Sequence, residues 1–549
     1  MANKTLTELY AEFEQMWTLR YQWELEWKQV MYWLLPGRGH FNKHTRRLKR
    51  SLTSPKLINT YAKEAQEVLI AGVKAGAISP VKRWFDLKWN DAQISDIKFL
   101  EDWLEDAKEI LYDEFARSNF YREVDGFLSE YSGFGNAVSF FGANSDPFYF
   151  HTITVGEYVM GMNNLGVVDK IYRVLFMSPR AIIEEFGEAN VSDHIKTQNI
   201  GAPEEPIGIA HYVYPEEFRD KPYSSVYAEL GASDDQVLRR SGYYEFPFMV
   251  CRWDVISGDT YGLGPGTRAV PHIRRLQEEE KALLMAGHKS LNPPLNIPAK
   301  LKNKTRTLPG GENLYSNPNE RIYPVYEVRF DMQAGMGLID RSELRISKIF
   351  FNDIFLTASR DPNASPLRTG EVNVREDEKL LRIGPVVESL YFEALQPVVE
   401  RAFSICLRKG KFPELPPEYA EMLGGYKIVF ISPLAQAQKL MAAGPINNFL
   451  QFTTAAVQYD PTVLDKVNMD SLVEEYADIT GVSSKILRSD EEVAQIREQR
   501  AQAQAEEKAK QDAMMNQQAQ LQGQQQQADI AKTYGEAGAG MQQLLGGNA

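Results

Sequence analysis

Apolar residues at the start of the chain recur every three or four positions. Leu6, Tyr10, Phe13 and Trp17 form one set, and Trp23, Trp27, Val30 and Leu34 continue it until Pro36 and Gly37. That spacing puts them on one face of a helix, and the Pro-Gly pair stops it. Residues 61–77, rich in Ala and Gly, predict a helix that packs closely on a neighbour. Ile97, Leu100, Leu104, Ala107, Leu111 and Phe115 mark the apolar face of another over roughly 95–117.

From residue 146 the period changes to two. FYFHTITV and VVDKIYRVLF flank Asn163, Asn164 and Gly166, which predicts a β-hairpin. A short helix follows, with Ser178 as N-cap, Pro179 at its first position and Gly187 as its stop. IGIAHYVY, SSVYAEL and FPFMVCRW read as further strands up to residue 253.

Helix returns at Pro265. Val270, Ile273, Leu276, Leu283 and Leu284 run along it to Pro293 and Pro294, and Pro271 falls near the start, where it is best tolerated. Residues 293–330 form a compact Pro-, Asn- and Lys-rich stretch with a strand candidate in RIYPVYEVRF. A second helix is expected from about 341 to 357, with Asp340 and Glu343 as a capping box. Residues 358–370, ASRDPNASPLRTG, read as a loop. Paired apolar positions over 371–410 predict a broadly buried helical region, kinked by Pro385 and Pro397 and holding Cys406 in its stripe. Residues 411–500 mix a strand, YKIVFIS, with helices. Nine of residues 511–527 are Gln, a tail that either joins a multi-chain helical bundle or stays disordered. The pattern as a whole is α+β and mainly helical.

Composition narrows the function. Of 549 residues, 43% are apolar and 25% charged, an ordinary globular balance with room for several domains. No run approaches the roughly 18 apolar residues that span a bilayer, so no membrane role is expected. The acidic, amphipathic N-terminus does not resemble a secretory signal. Two cysteines, Cys251 and Cys406, fit a reducing compartment. A net charge of −13 disfavours tight duplex binding through phosphates, yet suits a channel wall that repels phosphates and equally an ordinary acidic cytoplasmic protein.

Candidate chemistry is sparse. The run at residues 38–50 carries Arg38, Lys43, Arg46, Arg47, Lys49 and Arg50 without an acid, a candidate phosphate (DNA) or partner contact whose alternative is a solvated loop. His40 and His44 lie in it without an adjacent carboxylate or cysteine, so no metal is expected. GDTYGLGPGTR precedes the long helix. It reads as a phosphate cradle or, with no lysine following and Pro265 lacking a donor, as a tight turn that launches the helix. No catalytic constellation and no cofactor motif stand out.

Four segments, in order, resemble the head-to-tail connector (portal) family of short-tailed bacteriophages, the podovirus type. They are LINTYAKEAQEVLIAGVKAGAISPVKRWFDL through Gly72, Ser79, Pro80, Trp84 and Phe85; GDTYGLGPGTRAVPHIRRLQ; RTGEVNVREDE through Thr369, Glu371, Val372, Arg375 and Glu378; and ISPLAQAQK through Ser432, Pro433, Leu434, Ala435 and Gln438. Together they span roughly residues 57–440.

The resemblance implies a non-enzymatic ring of about twelve subunits that closes by rotation. It implies a wing, a two-helix stem (264–292 and 331–357), a clip (293–330), a tunnel loop (358–370), a long kinked helix (371–410), and a wing return and crown (411–500) before the tail at 501–549. Arg360 and Arg368 would face double-stranded DNA in the channel. Lys300, Lys302, Lys304 and Arg306 would meet partners at the clip, or else simply be solvated. Implied partners are the capsid protein, the terminase large subunit and a tail adaptor, at the portal vertex of a virion assembled in host cytoplasm. The alternatives are a minor capsid or tail adaptor protein and a nucleotide-dependent factor using the Gly262–Gly266 turn.

Overall fold

A computed structural model describes residues 4–45, 57–90, 97–142, 146–231, 236–308, 310–325, 331–356, 382–416 and 425–432, with shorter stretches beyond, chiefly 449–450, 452–457, 466–480 and 492–511. The chain divides into two units, Met1–Leu450 and Gln451–Ala549.

The first unit begins with two helices, α1 (Leu6–Leu19) and α2 (Tyr21–Trp33), where the sequence predicted a single run. Thr5 and Glu8 form a reciprocal capping box at the start of α1. The break at Arg20 has a tertiary cause. This buried guanidinium donates to the Gly156 and Tyr158 carbonyls at 3.0 and 2.7 Å and stacks on Trp17. After α3 (Tyr61–Ala77) and strand β1 (Phe85–Trp89) come α4 (Lys98–Arg117) and α5 (Phe120–Phe134); α5 had no counterpart in the sequence reading.

A three-stranded antiparallel sheet follows, ordered β3-β2-β9: β2 (Asn136–Gly142), β3 (Tyr149–Ile153) and β9 (Phe248–Arg252). Five more antiparallel strands run in chain order, β4 (Tyr158–Met162), β5 (Val168–Met177), β6 (Ile207–Phe218), β7 (Lys221–Glu229) and β8 (Val237–Tyr243). The predicted hairpin turn is present, but its first strand is YVMGM. FYFHTITV pairs instead with β2, Phe141 opposite Phe150, because its apolar alternation fits the core of the smaller sheet.

The five-stranded sheet is covered on both faces. On one, Leu6, Leu9 and Phe13 of α1 pack on Val159, Tyr172, Ala210 and Tyr212. On the other, α6 (Pro179–Phe186) and α7 (Asp193–Gly201) bring Ile182, Phe186 and Ile195 against Ile209, Tyr227 and Leu238. Glu12 fastens the first face. Burial pushes this carboxyl up, but hydrogen bonds from Lys170, Lys4 and Tyr172 outweigh that and hold it at about 2.

The long helix α8 spans Pro265–Leu291, 27 residues, or about 40 Å at 1.5 Å each. The next helix, α9, spans Met332–Ile349 and begins well before the expected residue 341. Its cap is Asp331, which accepts from the Gln333 and Ala334 amides, while Asp340 and Glu343 lie inside the helix. Phe351, at φ 56°, then breaks the path before the short α10 (Asn352–Phe355). Gly72 of α3 packs on α10, where an added Cβ would lie 2.2 Å from the Phe355 ring.

Residues 382–408 are helical, and Leu390–Leu395 form a π-turn leading into α11 (Gln396–Arg408). That wide turn just ahead of Pro397 accommodates a residue without an N–H donor. Cys406 is fully buried, as its stripe predicted. Strand β12 (Tyr426–Phe430) pairs antiparallel with β1. In the second unit, α12 spans Met469–Thr480 and residues 492–511 form an exposed helix.

Candidate functional site

The glycine-rich turn before α8 is where distant parts of the chain approach most closely. Gly135, at φ 83°, ends α5 and lies against Gly264, so that a Cβ on Gly135 would sit 2.3 Å from the Gly264 amide nitrogen. A Cβ on Gly266 would sit 2.2 Å from the Gly133 carbonyl oxygen. Asn136 completes the lock, its amide donating to the Gly262 carbonyl (3.0 Å) and accepting from the Gly262 N–H (2.8 Å). The Leu263 N–H donates to the Asp254 carbonyl at 2.8 Å, and the Tyr261 hydroxyl accepts from the Met160 amide. Two donors that a phosphate would need are thus already used. The turn is a backbone-on-backbone joint that sets the root of α8.

The helices α8 and α9 pack together from this root. The Ser342 hydroxyl donates to Glu279 at 2.7 Å. Buried Gln277 accepts from the Ile58 and Asn59 amides at 2.6 and 2.9 Å and donates to the Asn59 carbonyl. The Asn59 side chain then bridges Glu280 and Glu343 at 3.0 and 3.2 Å. Burial, with Asp340, Glu280 and Glu64 nearby, raises the Glu343 carboxyl despite the Asn59 bond. The segment LINTYAK of the first family-like run therefore clamps the helix pair at its base.

Beyond the clamp the character changes. Between Gln277 and Gly335 none of the described residues is buried. The segment includes the distal half of α8, the start of α9, and a small module whose only strand pairing among the described residues joins β10 (Leu295–Asn296) to β11 (Tyr323–Pro324). Large apolar side chains stand open here, Leu291, Leu308 and Leu314 among them, each at least 80% exposed. Exposed apolar side chains gathered in one module mark an interaction surface.

Lys300, Lys302, Lys304 and Arg306 are all exposed in this module. Arg306 is positioned through its backbone, which exchanges two hydrogen bonds with the Asn313 side chain at 2.7 Å. Of the basic run, Arg38 pairs with the buried Glu130 at 3.0 Å, and Lys43 pairs with Glu14. Arg46, Arg47, Lys49 and Arg50 lie outside the described residues, as do Arg360, Arg368 and the family-like run from Thr369 to Glu378. His40 does have a carboxylate beside it, Glu157 at 3.9 Å, brought there by the fold. Among the described residues no group of three or more His, Cys, Asp or Glu side chains could hold a metal, and no helix is long and apolar enough to cross a membrane.

Other motif residues also serve packing. Buried Trp84 donates its indole N–H to the Tyr121 hydroxyl, and the Tyr112 hydroxyl accepts from the Trp84 and Phe85 amides. Buried Ser432 is hydrogen-bonded to Tyr391. Sequence reasoning missed Asn59, Gln277 and Asn136. Their signal was an amide next to a helix end or glycine turn, too common to single out without its distant partner.

One buried group makes the fold pH-sensitive. His211 is held well below its ordinary value by burial and by Arg173 and Arg239. Arg173 donates to its Nδ1 at 3.0 Å, its ring lies 3.8 Å from Tyr227, and Nε2 meets the Ser225 hydroxyl. The folded state keeps His211 neutral while the unfolded chain protonates below about 6.5. Stability present above pH 6.5 is therefore expected to fall as pH drops from there toward 5. Urea unfolding of wild type and His211→Gln across that range checks this; the variant should show a shallower slope.

A family model described as the bacteriophage head to tail connecting protein matches residues 6–487. The probable portal protein of Bordetella phage BPP-1 is 33% identical over 532 residues, covering 94% of this chain and 95% of that protein. The portal protein of Salmonella phage epsilon15 is 30% identical over 525 residues, covering 92% and 93%. A solved neck of an empty GTA particle aligns with 71% of this chain and 86% of its own at 10% identity. Its TM-score of 0.34 is too slight a likeness to carry an argument.

Proposed function

We infer the role of this chain from the family to which it belongs, the bacteriophage head to tail connecting proteins. It is a portal subunit, one copy of a closed ring of about twelve built from heterologous contacts. The observation that carries the reading is the helix pair α8 and α9 with the module between them. Rooted at the glycine joint and clamped by Asn59 and Gln277, the segment has no buried residue among those described between Gln277 and Gly335. Copies repeated around an axis would bury those apolar side chains against one another and build the wall of a tube.

On this reading α8 and α9 are the stem and residues 293–330 the clip, with Lys300, Lys302, Lys304 and Arg306 available to the terminase during packaging and to a tail adaptor afterwards. Residues 358–370 are the tunnel loop, with Arg360 and Arg368 toward double-stranded DNA. Each such phosphate contact is weak and salt-sensitive beside the net charge of −13, which favours passage over retention. Residues 371–410 are the long helix behind the loop, and the wing built on the two larger sheets meets the capsid protein. The role is structural, and ATP hydrolysis belongs to the separate motor.

Native mass spectrometry of the purified full-length chain tests the ring. A closed assembly of about twelve copies is expected. A monodisperse monomer or dimer across salt and concentration would overturn the reading in favour of an adaptor.

A further inference from the structure

Apart from the helix pair, the fold contains a cleft of about 840 Å³ beside the larger sheets. Arg117 of α4 and Arg122 of α5 lie at one side, Phe140 and Tyr149 come from β2 and β3, and Tyr227 and Arg239 come from β7 and β8. Its size is that of a specific ligand site, with apolar walls and a few convergent polar groups.

The acids in the cleft are already matched. Asp146 accepts from Lys411 at 3.0 Å, and Glu185 accepts from Arg239 at 2.9 Å. The two arginines at the side are matched poorly. Arg117 reaches Glu114 at 3.3 Å and Asp146 at 3.9 Å, but Lys411 holds both carboxylates more closely, at 2.8 and 3.0 Å. Arg122 reaches Glu123 at 3.8 Å, and that carboxylate already accepts the Thr152 amide. Their side chains are 61% and 79% exposed, so two guanidinium forks stand toward solvent beside an aromatic wall.

Arginine with aromatics also describes a nucleic-acid groove, where bases stack on open ring faces. Here the faces of Tyr227 and Phe140 are covered. Tyr227 lies between His211 at 3.8 Å and Arg239 at 4.9 Å, and Arg173 sits 4.3 Å from the Phe140 ring. What remains open is Tyr149, 49% exposed, with the two guanidinium groups.

We propose that this cleft docks an acidic peptide segment of a partner protein, its carboxylates paired with Arg117 and Arg122 and an adjoining apolar side chain lodged against Phe140 and Tyr149. Charge complementarity selects the partner. The cleft's lining sets three arginines against two carboxylates that are already paired, so the unmet charge is the one an acidic segment supplies.

The test is selection of peptides from a random display library on the assembled protein, followed by fluorescence anisotropy. Enriched peptides should be net acidic with an apolar anchor. They should bind R117E/R122E at least about tenfold more weakly, at an unchanged unfolding midpoint. Should that variant unfold early, R117Q/R122Q must show the same loss in smaller measure. Enrichment of neutral or basic peptides, indifference to both variants, displacement by oligothymidylate, or no enrichment because a second copy covers the cleft would each overturn the proposal.

Discussion

Replacing Gly266 by Ala is expected to destabilise the subunit by about 3 kcal/mol or more, among the largest effects of any single methyl group in this chain. The new Cβ would lie 2.2 Å from the Gly133 carbonyl oxygen and 2.8 Å from its carbonyl carbon and Cα. All three obstacles are backbone, so no side chain can swing away. Either α8 lifts from its root or α5 shifts with its strand β2. Gly135→Ala should cost at least as much, because it adds a left-handed φ of 83° to a 2.3 Å contact. The control lies in the same helix. Around Gly287 nothing stands within 4 Å of an added Cβ, so Gly287→Ala should stabilise the chain by up to about 1 kcal/mol through helix propensity alone. Urea denaturation of the three variants measures the contrast. Equal midpoints for Gly266→Ala and wild type would remove the joint from the account of how α8 is held.

The second large effect is on assembly. The double variant Leu308→Asp, Leu314→Asp is expected to remain folded as a subunit and to form no rings. These side chains are 80% and 88% exposed, so a charge there costs the isolated chain little. In the proposed ring each leucine buried at a subunit contact contributes about 1.5–3 kcal/mol. Losing two weakens every contact by roughly 10² to 10⁴ in association constant, before the cost of burying two carboxylates. Native mass spectrometry reads the subunit number and far-UV circular dichroism the fold. Rings of unchanged size would show that the module is not an intersubunit surface. Loss of helical signal would show that it stabilises the subunit.

What the sequence determined by itself was whatever its neighbours within about four residues control. Ser178, Pro179 and Gly187 bound α6 because cap, first-turn proline and left-handed stop act inside one helical turn. The apolar stripe from Val270 to Leu284 fixed α8, and the run of β-branched and aromatic residues fixed β6, through the same local periodicity. Family membership was legible too, because motifs such as GDTYGLGPGTR need only their own residues to be recognised.

The tertiary structure decided which of several possible partners each element met, some of them a hundred residues or more away. FYFHTITV could alternate on either sheet, and contact with β2 chose. α9 begins at Met332 although MQAGMG holds two helix-weakening glycines, because packing of buried Gly335 and Ile339 outweighs propensity. Arg38 and Lys43 sit in an acid-free run, yet Glu130 and Glu14 come to them from α5 and α1. The glycine turn before α8 left two readings open in sequence, cradle or joint. Gly133, Gly135 and Asn136, about 130 residues earlier, made it a joint. A local run shows what a backbone can do; only the chain that packs against it determines which of those options is taken.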